Sequence, residues 1–151
     1  MSVSRLVPHD FIVPSMLETP EFRLRPLLIS DVVKDYDAVM SSADHLKNAL
    51  SPDSNWPEGL TFEDDLIDLG WHHKEFKRRT SFAYTVMSLD EARCLGCCYI
   101  YPSSDPAYDA EAYYWARQSE LQHGLEVRLG QVFRDWLARD WPFKRVAYPG
   151  R

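Results

Sequence analysis

The spacing of apolar and polar residues predicts a chain that alternates between strands and helices. Over residues 21–27 apolar side chains alternate with arginines, as in a strand with one buried face. Ser30, a residue type that caps helices, precedes apolar residues at three- and four-residue spacing, so we expect a helix to about residue 43. Residues 51–60 combine Pro, Asn and Gly, which predicts a loop.

A second helix is predicted to begin at Thr61. Its first turn is acidic and includes Asp65, which complements the positive end of the helix dipole, and basic residues lie near its other end. The expected buried stripe consists of Phe62, Leu66, Leu69, His73 and Phe76.

In the second half of the chain, the pattern of apolar residues predicts a hairpin, an aromatic strand, a long amphipathic helix and a short last strand. Gly124 precedes this helix, and Pro142 prevents its continuation. The strands are expected at residues 82–89, 94–101, 110–117 and 144–148.

The domain organisation follows from the same pattern. Residues 1–20 contain three prolines and show no clear period, which predicts an extended lead-in with an edge strand at residues 11–13. We expect residues 21–151 to form a single domain, because no repeat, low-complexity segment or internal boundary interrupts them.

The composition excludes several classes of protein. The chain has 151 residues, of which 45% are hydrophobic and 13% aromatic, whereas disordered chains are poor in aromatics. Its net charge of −6 argues against binding to nucleic acid, which needs basic residues to neutralise phosphates. No stretch is apolar enough to span a membrane and no secretory signal is visible, so we expect no membrane partner.

Three cysteines, Cys94, Cys97 and Cys98, crowd into five residues. An odd number of neighbouring cysteines with no partner elsewhere favours a reduced, cytoplasmic protein. We interpret them as small apolar strand residues. Because no second cysteine or histidine knuckle supplies further ligands, we expect no metal site.

The start of the last long helix is the best candidate for binding chemistry. A helix N-terminus leaves backbone N–H groups unpaired and carries partial positive charge, which suits a phosphate. Gln122, His123, Gly124 and Leu125 stand at this point. The alternative is a plain loop in which Gly124 only makes the turn.

Six aromatic residues allow a further interpretation. Core positions are favoured, because the large apolar rings of strand aromatics are usually buried. The alternative is an apolar pocket for a small molecule. The residues are Trp56, Trp71, Tyr99, Tyr101, Tyr113 and Trp115.

The chain resembles the GNAT acetyltransferase superfamily in three stretches. The resemblance is to the branch that acetylates ribosomal-protein and other N-termini and small amines, and the element order matches over roughly residues 20–149. The stretches are Phe22-Arg23-Leu24-Arg25-Pro26-Leu27 with Ser30-Asp31, then Cys94-Leu95-Gly96-Cys97-Cys98-Tyr99-Ile100, and Tyr113-Tyr114-Trp115.

This resemblance implies an α/β (α+β) fold with a mixed, mostly antiparallel sheet flanked by helices, and acetyl-CoA as the cosubstrate. In the family a glycine-containing loop at the helix start holds the CoA pyrophosphate through backbone N–H groups. Gly124 matches its second glycine, and Gln122 replaces the first. The pantetheine arm would run beside Trp115, Ala116 and Arg117.

The resemblance also implies acetyl transfer to the primary amine of a small molecule or peptide N-terminus. Glu111 is the carboxylate nearest the place of the family's general base, and an ordinary surface acid is the alternative. The family continues past its fifth strand with a helix and two strands, whereas this sequence ends at Arg151. We therefore expect the last helix and strand pair to be lacking and a homodimer to cover the strand edge. The alternative function is a non-catalytic GNAT-like binding or structural module with weak or no CoA binding.

Overall fold

The computed structural model describes residues 5–47, 49–50 and 53–151. The strands among them form one six-stranded sheet. The strands lie side by side in chain order. Their bounds are Leu17–Glu18 (β1), Arg23–Pro26 (β2), Phe82–Met87 (β3), Cys94–Pro102 (β4), Ala110–Ala116 (β5) and Val146–Ala147 (β6). Neighbouring strands are antiparallel except β5 and β6, which confirms the predicted mixed, mostly antiparallel sheet.

The described residues form four α-helices, and one begins where the sequence predicts. The Thr61 hydroxyl accepts the Asp64 N–H at 3.0 Å, and the Asp64 carboxylate accepts the Thr61 N–H at 3.1 Å. No described helix is long and apolar enough to cross a bilayer. The helices are Val32–Met40 (α1), Ala43–Leu46 (α2), Phe62–Arg78 (α3) and Leu125–Asp140 (α4).

The single helix expected after Ser30 is divided into α1 and α2, and Asp31 rather than Ser30 is the N-cap residue of α1. Asp31 Oδ2 accepts the Leu28 N–H at 2.8 Å, and the Asp31 carboxylate pairs with Arg25 at 2.8 Å. These contacts hold a short 3-10 turn ahead of the helix, so α1 starts at Val32, one residue later than the pattern indicates.

The two faces of the sheet carry different helices. We call them the α4 face, where α4 packs over Cys98 and Tyr114, and the α1/α3 face, where α1 and α3 pack over Cys97 and Trp115. All three cysteines are buried strand residues with free thiols, as predicted.

β5 and β6 run side by side only briefly. They pair at Ala110 with Val146 and at Glu111 with Ala147. On its other side β5 pairs with β4 along its whole length, from Ala110 to Ala116. Beyond Glu111, one edge of β5 therefore has no strand partner among the described residues.

The described lead-in packs against the sheet, and the Tyr84 hydroxyl donates to the Pro14 carbonyl at 2.6 Å. The edge strand predicted at residues 11–13 is wrong, because the short strand forms at Leu17–Glu18. The Thr19 hydroxyl accepts backbone N–H groups just after it and turns the chain back toward β2. The division between lead-in and domain stays a prediction.

α3 turns a different stripe toward the sheet from the one predicted. Phe62 and Leu66 are exposed, whereas Asp65 and Leu69 are buried. Successive residues on a helix lie about 100° apart, so the buried stripe is rotated by one position at this end. A carboxylate expected in solvent at the helix start therefore lies in the interior.

Candidate active site

The open edge of β5 ends beside the N-terminus of α4. Its backbone groups are occupied by side chains: the Ala116 N–H donates to Glu126 Oε1 at 3.0 Å, and the Arg151 guanidinium donates to the Tyr114 carbonyl. The edge thus presents one backbone donor and one backbone acceptor, two positions apart.

Glu126, in the first turn of α4, joins these contacts into a polar network. His45 Nε2 lies 2.7 Å from Glu126 Oε1, and Arg151 donates to Oε2 at 3.3 Å. Burial acts to raise the pKa of Glu126, but hydrogen bonds from Ala116, His45 and Arg151 lower it below its ordinary value. An ionised carboxylate therefore stands beside the open edge at neutral pH.

Gly124 makes the turn into α4. Its φ of +75° lies in the left-handed region that glycine favours, and it follows a 3-10 helix over Gln118–His123. Arg128 closes over this turn, since it donates to the His123 carbonyl at 2.6 Å and pairs with Glu21 at 2.6 Å. The start of α4 thus combines a left-handed glycine, a helix N-terminus and a guanidinium group.

The strand residues predicted to lie along the pantetheine arm point in different directions. Trp115 turns to the α1/α3 face, where its Nε1–H donates to the Tyr99 hydroxyl at 3.0 Å. Arg117 turns toward α1 and pairs with Asp37 at 2.7 Å. Of these three predicted residues, Ala116 is the one whose backbone N–H meets the open edge.

The loop residues predicted around Gly124 divide between solvent and core. The side chains of Gln122 and His123 are exposed, whereas Leu125 is buried in the α4-face core. The Gln122 side chain, in place of the family's first glycine, is therefore accessible to solvent.

Glu111 lies where β5 and β6 separate. It is half-buried and borders a cavity of about 310 Å³, which we call the tyrosine cavity. Glu111 is the carboxylate that β5 contributes to this cavity. The other lining residues are Leu50, Tyr99, Tyr101 and Tyr113.

A second cavity, of about 300 Å³, shares Leu50, Tyr99 and Tyr101 with the first. We call it the acidic cavity because three carboxyl groups line it, and residues of α1, α3 and the loop before α3 surround it. Its remaining lining residues are Leu27, Asp35, Ser54, Trp56, Asp65, Asp68, Leu69, Trp71 and His72.

Two carboxyl groups of the acidic cavity are buried together. Asp35 and Asp65 expose only 4% and 2% of their surface, and burial raises the pKa of both. Interaction with Asp65 raises the pKa of Asp35 further, which favours one proton held between the two groups. Asp65 Oδ2 is buried and has no hydrogen-bond partner in the described part of the chain.

His72 completes the acidic cavity without adding charge. Burial lowers its pKa to about 4, so the imidazole is neutral at pH 7. Its ring centroid lies 5.5 Å from that of Tyr99 and 5.1 Å from that of Trp71. Burial also raises the pKa of Asp68.

Asp35 also meets two of the cysteines. The Cys97 thiol donates to Asp35 Oδ1 at 3.5 Å, and Asp35, Cys94 and Cys97 each bring one donor atom within 4.8 Å of the others. Thiolate and carboxylate donors are ligand types that bind zinc. The predicted absence of a metal site is therefore not confirmed.

The sequence-based interpretation missed the acidic cavity, although Asp35 carries a signal for it. Asp35 stands three residues after Val32 and four before Val39, on the spacing of the buried apolar stripe of α1. The aromatic residues were interpreted as core or pocket. Trp115 is core, whereas the other five, Trp56, Trp71, Tyr99, Tyr101 and Tyr113, line the two cavities.

Comparison with solved structures establishes the class of fold. No family model matches the chain, and no curated protein is similar enough to match. Solved structures of GNAT acetyltransferases do match, with sequence identities below 20%. The chain therefore has the GNAT acetyltransferase fold, and the predicted resemblance is confirmed at this level.

Particular structures in this class include ribosomal-protein acetyltransferases. The chain is similar to the ribosomal-protein-S5-alanine acetyltransferase of Vibrio fischeri, with a TM-score of 0.64 and 19% identity over 81% of this chain and 66% of that one. It is similar to RimL, the ribosomal L7/L12 alpha-N-protein acetyltransferase, in complex with coenzyme A. Here the TM-score is 0.65 and the identity 17%, over 82% of this chain and 68% of that one. It is also similar to the microcin C7 self-immunity acetyltransferase MccE in complex with acetyl-CoA and AMP. The TM-score is 0.62 and the identity 12%, over 82% of this chain and 67% of that one. The chain thus spans 66–68% of the length of these proteins.

Proposed function

We propose that this chain is an N-acyltransferase that uses acetyl-CoA and a primary amine. The amine nitrogen attacks the thioester carbon, a C–N bond forms, and the C–S bond to CoA breaks. Such a reaction depends mainly on positioning the two reactants and on backbone donors that polarise the carbonyl.

The observation that carries the proposal is the open edge of β5 beside the start of α4. A pantetheine arm contains amide groups, whose carbonyl and N–H complement the Ala116 N–H and the Tyr114 carbonyl. The arm would take over the hydrogen bonds that Glu126 and Arg151 now make with these groups. A strand-like pairing of this kind is a recurrent way for proteins to hold an extended ligand.

The pyrophosphate would lie at the N-terminus of α4. Backbone N–H groups and the helix dipole favour an anion there, and Gly124 permits close approach. Arg128, which pairs with Glu21, adds a guanidinium group at this point. Gln122 departs from the family's pattern at this loop, and its side chain, like that of His123, is exposed to solvent.

Glu111 is the proposed general base. It borders the tyrosine cavity at the point where β5 and β6 separate, so an acceptor bound in this cavity would lie beside its carboxylate. The acceptor class is a small-molecule amine or a peptide N-terminus. Glu111→Gln should lower the rate of thiol release by about 100-fold, the contribution typical of a general base, without weakening acetyl-CoA binding.

The test of the cosubstrate site compares two glycines with the same backbone conformation. Gly124 and Gly59 have φ of +75° and +76°, and Gly59 has no neighbour that an added methyl group would meet. Alanine at either position strains the turn, but only Gly124→Ala places a methyl group beside Arg128, 2.9 Å from Nη1.

We expect Gly124→Ala to weaken acetyl-CoA binding by at least about tenfold, which is 1.4 kcal/mol, and Gly59→Ala to leave it unchanged. Isothermal titration measures the binding, and a panel of amines with a thiol-release assay measures turnover. Equal affinity of both variants and the parent protein would place CoA elsewhere or nowhere on the chain.

A second candidate function is a module with this fold that does not catalyse. It is favoured by one observation: Glu126 and Arg151 already satisfy the backbone groups of the β5 edge. In that case acetyl-CoA neither raises the melting temperature nor releases thiol with any amine. If the two side chains alone close the edge, Glu126→Ala should bind acetyl-CoA more tightly than the parent protein.

The proposal includes a homodimer and a cytoplasmic site of action. The three free thiols are consistent with a reducing compartment. Sedimentation or light scattering at several concentrations tests the dimer independently of activity.

A further inference from the structure

The acidic cavity lacks the positive charge that its carboxyl groups would attract. Asp35 and Asp65 are buried in it, and Asp68 lines it as well. The described residues around it include no lysine or arginine, and His72 is neutral at pH 7. Buried carboxyl groups without full hydrogen bonding are costly, and Asp65 Oδ2 has no partner in the described ranges. A cation entering the cavity would remove this cost.

The aromatic lining suits an organic cation better than a hydrated metal ion. Trp56, Trp71, Tyr99 and Tyr101 all border the acidic cavity. An ammonium group within about 6 Å of such rings is attracted to their faces, most strongly when it leaves water. Trp71 is 44% exposed, so this side of the cavity is open to a ligand arriving from solvent.

The acidic and tyrosine cavities are neighbours along β4, and we call the two together the groove. They share Tyr99 and Tyr101. Asp35 meets the strand at Cys97, whereas Glu111 lies opposite Tyr101 in the strand register. Cys97 and Tyr101 are four residues apart, which is about 13 Å along a strand. The groove therefore has carboxyl groups at one end and the proposed base near the other.

We infer that this groove binds an acceptor with two amino groups, so that the substrate class is a diamine or polyamine. One amino group binds as an ammonium ion among Asp35, Asp65 and Asp68, and the other lies near Glu111. This inference rests on the proposed acyl transfer for the reaction at the second amino group. There the neutral nitrogen attacks the thioester carbon, the C–N bond forms as the C–S bond breaks, Glu111 takes the proton that nitrogen loses, and CoA leaves as the thiolate.

The first experiment measures binding without any acyl-CoA. Octane-1,8-diamine and octylamine have the same carbon chain and differ in the second amino group. Titration monitored by tryptophan fluorescence should give at least about tenfold tighter binding of the diamine. Equal affinity of the two amines would overturn the inference.

Two carboxyl variants and a matched control locate the site. Asp65→Asn and Asp68→Asn remove a carboxylate from the cavity, whereas Glu63→Gln makes the same charge change on an exposed residue of the same helix. We expect the preference for the diamine to fall to about threefold or less in both cavity variants and to persist in Glu63→Gln. Because Asp68 is exposed, we expect Asp68→Asn to fold normally. This variant therefore tests the inference even if Asp65→Asn folds poorly. A full preference in Asp68→Asn contradicts the inference.

The remaining outcomes separate this inference from the proposed function. If the diamine binds preferentially but no amine releases thiol from acetyl-CoA, acyl transfer fails and the cation site stands. If thiol release occurs with the same KM for octylamine and the diamine, acyl transfer stands and the cation site fails. Stoichiometric zinc binding that displaces the diamine and is lost in Cys97→Ala, but not in Cys98→Ala, would assign the carboxyl groups to a metal and overturn the inference.

Discussion

Cys97 and Cys98 are neighbours on β4 but lie on opposite faces of the sheet. Cys98 is buried among the apolar and aromatic side chains of the α4 face, whereas Cys97 donates to the buried Asp35 on the α1/α3 face. The α4 face packs ring against ring, with Trp136 and Tyr84 centroids 5.0 Å apart. The α1/α3 face instead contains buried carboxyl groups and the acidic cavity.

The difference between the faces indicates where stability comes from and where binding occurs. Close-packed aromatic side chains bury large apolar areas and stabilise the fold. Buried carboxyl groups and an open cavity reduce stability, so they are tolerated only where they serve another role or where the rest of the core compensates. Substitutions on the two faces should therefore differ in their effects.

The largest expected effect is that of truncating the α4-face core. Trp136 is 2% exposed, and Trp136→Ala should lower the free energy of unfolding by about 3–5 kcal/mol, because it leaves a cavity among aromatic rings. Trp71→Ala, on the rim of the acidic cavity, should cost less than about 1 kcal/mol. Urea unfolding followed by circular dichroism measures both, and comparable losses would contradict the assignment of stability to the α4 face.

A pair of helix glycines gives the next largest contrast. A methyl group on Gly130 of α4 would collide with the Tyr114 ring, so Gly130→Ala should destabilise by about 1–3 kcal/mol. Gly70 of α3 has no neighbour within reach, so Gly70→Ala should stabilise by about 0.5–1 kcal/mol through helix propensity. Thermal unfolding shows the opposite signs directly. The same sign for both variants would mean that the packing around one of them is not as described.

The smallest effect is a change in pH dependence at Asp35. Burial raises the pKa of this carboxyl above its ordinary value of 3.8, so the folded state holds its proton more tightly than the unfolded state. Stability from this group is present at low pH and is lost as pH rises between the two pKa values. Asp35→Asn keeps a neutral group of similar shape and should therefore gain stability relative to the parent protein between pH 5 and pH 8.

Denaturant unfolding at several pH values measures that gap. Asp44→Asn, a change to an exposed carboxylate of α2, controls for the change in net charge. Parallel curves for Asp35→Asn and the parent protein would show that folding does not raise the pKa of Asp35 and would contradict this prediction.

Much of the fold follows from local sequence. The Thr61 helix start and the hairpin of β3 and β4 were predicted, because capping and alternation act within a few residues. The rotation of α3 was not predicted, because apolar residues lie on more than one side of this helix. Its exposed Phe62 and buried Asp65 depend on what the sheet and α1 present to it.

The candidate site divides in the same way. The sequence by itself determined the start of α4, the aromatic strand β5 and the position of Glu111 on it, since each depends on a short pattern. Only the tertiary structure decided that β5 and β6 separate, that Glu126 and Arg151 meet the open edge, and that carboxyl groups from α1 and α3 share one cavity. These features join residues distant along the chain, and their positions are set by strand pairing and helix packing, which no local pattern of apolar and polar residues specifies.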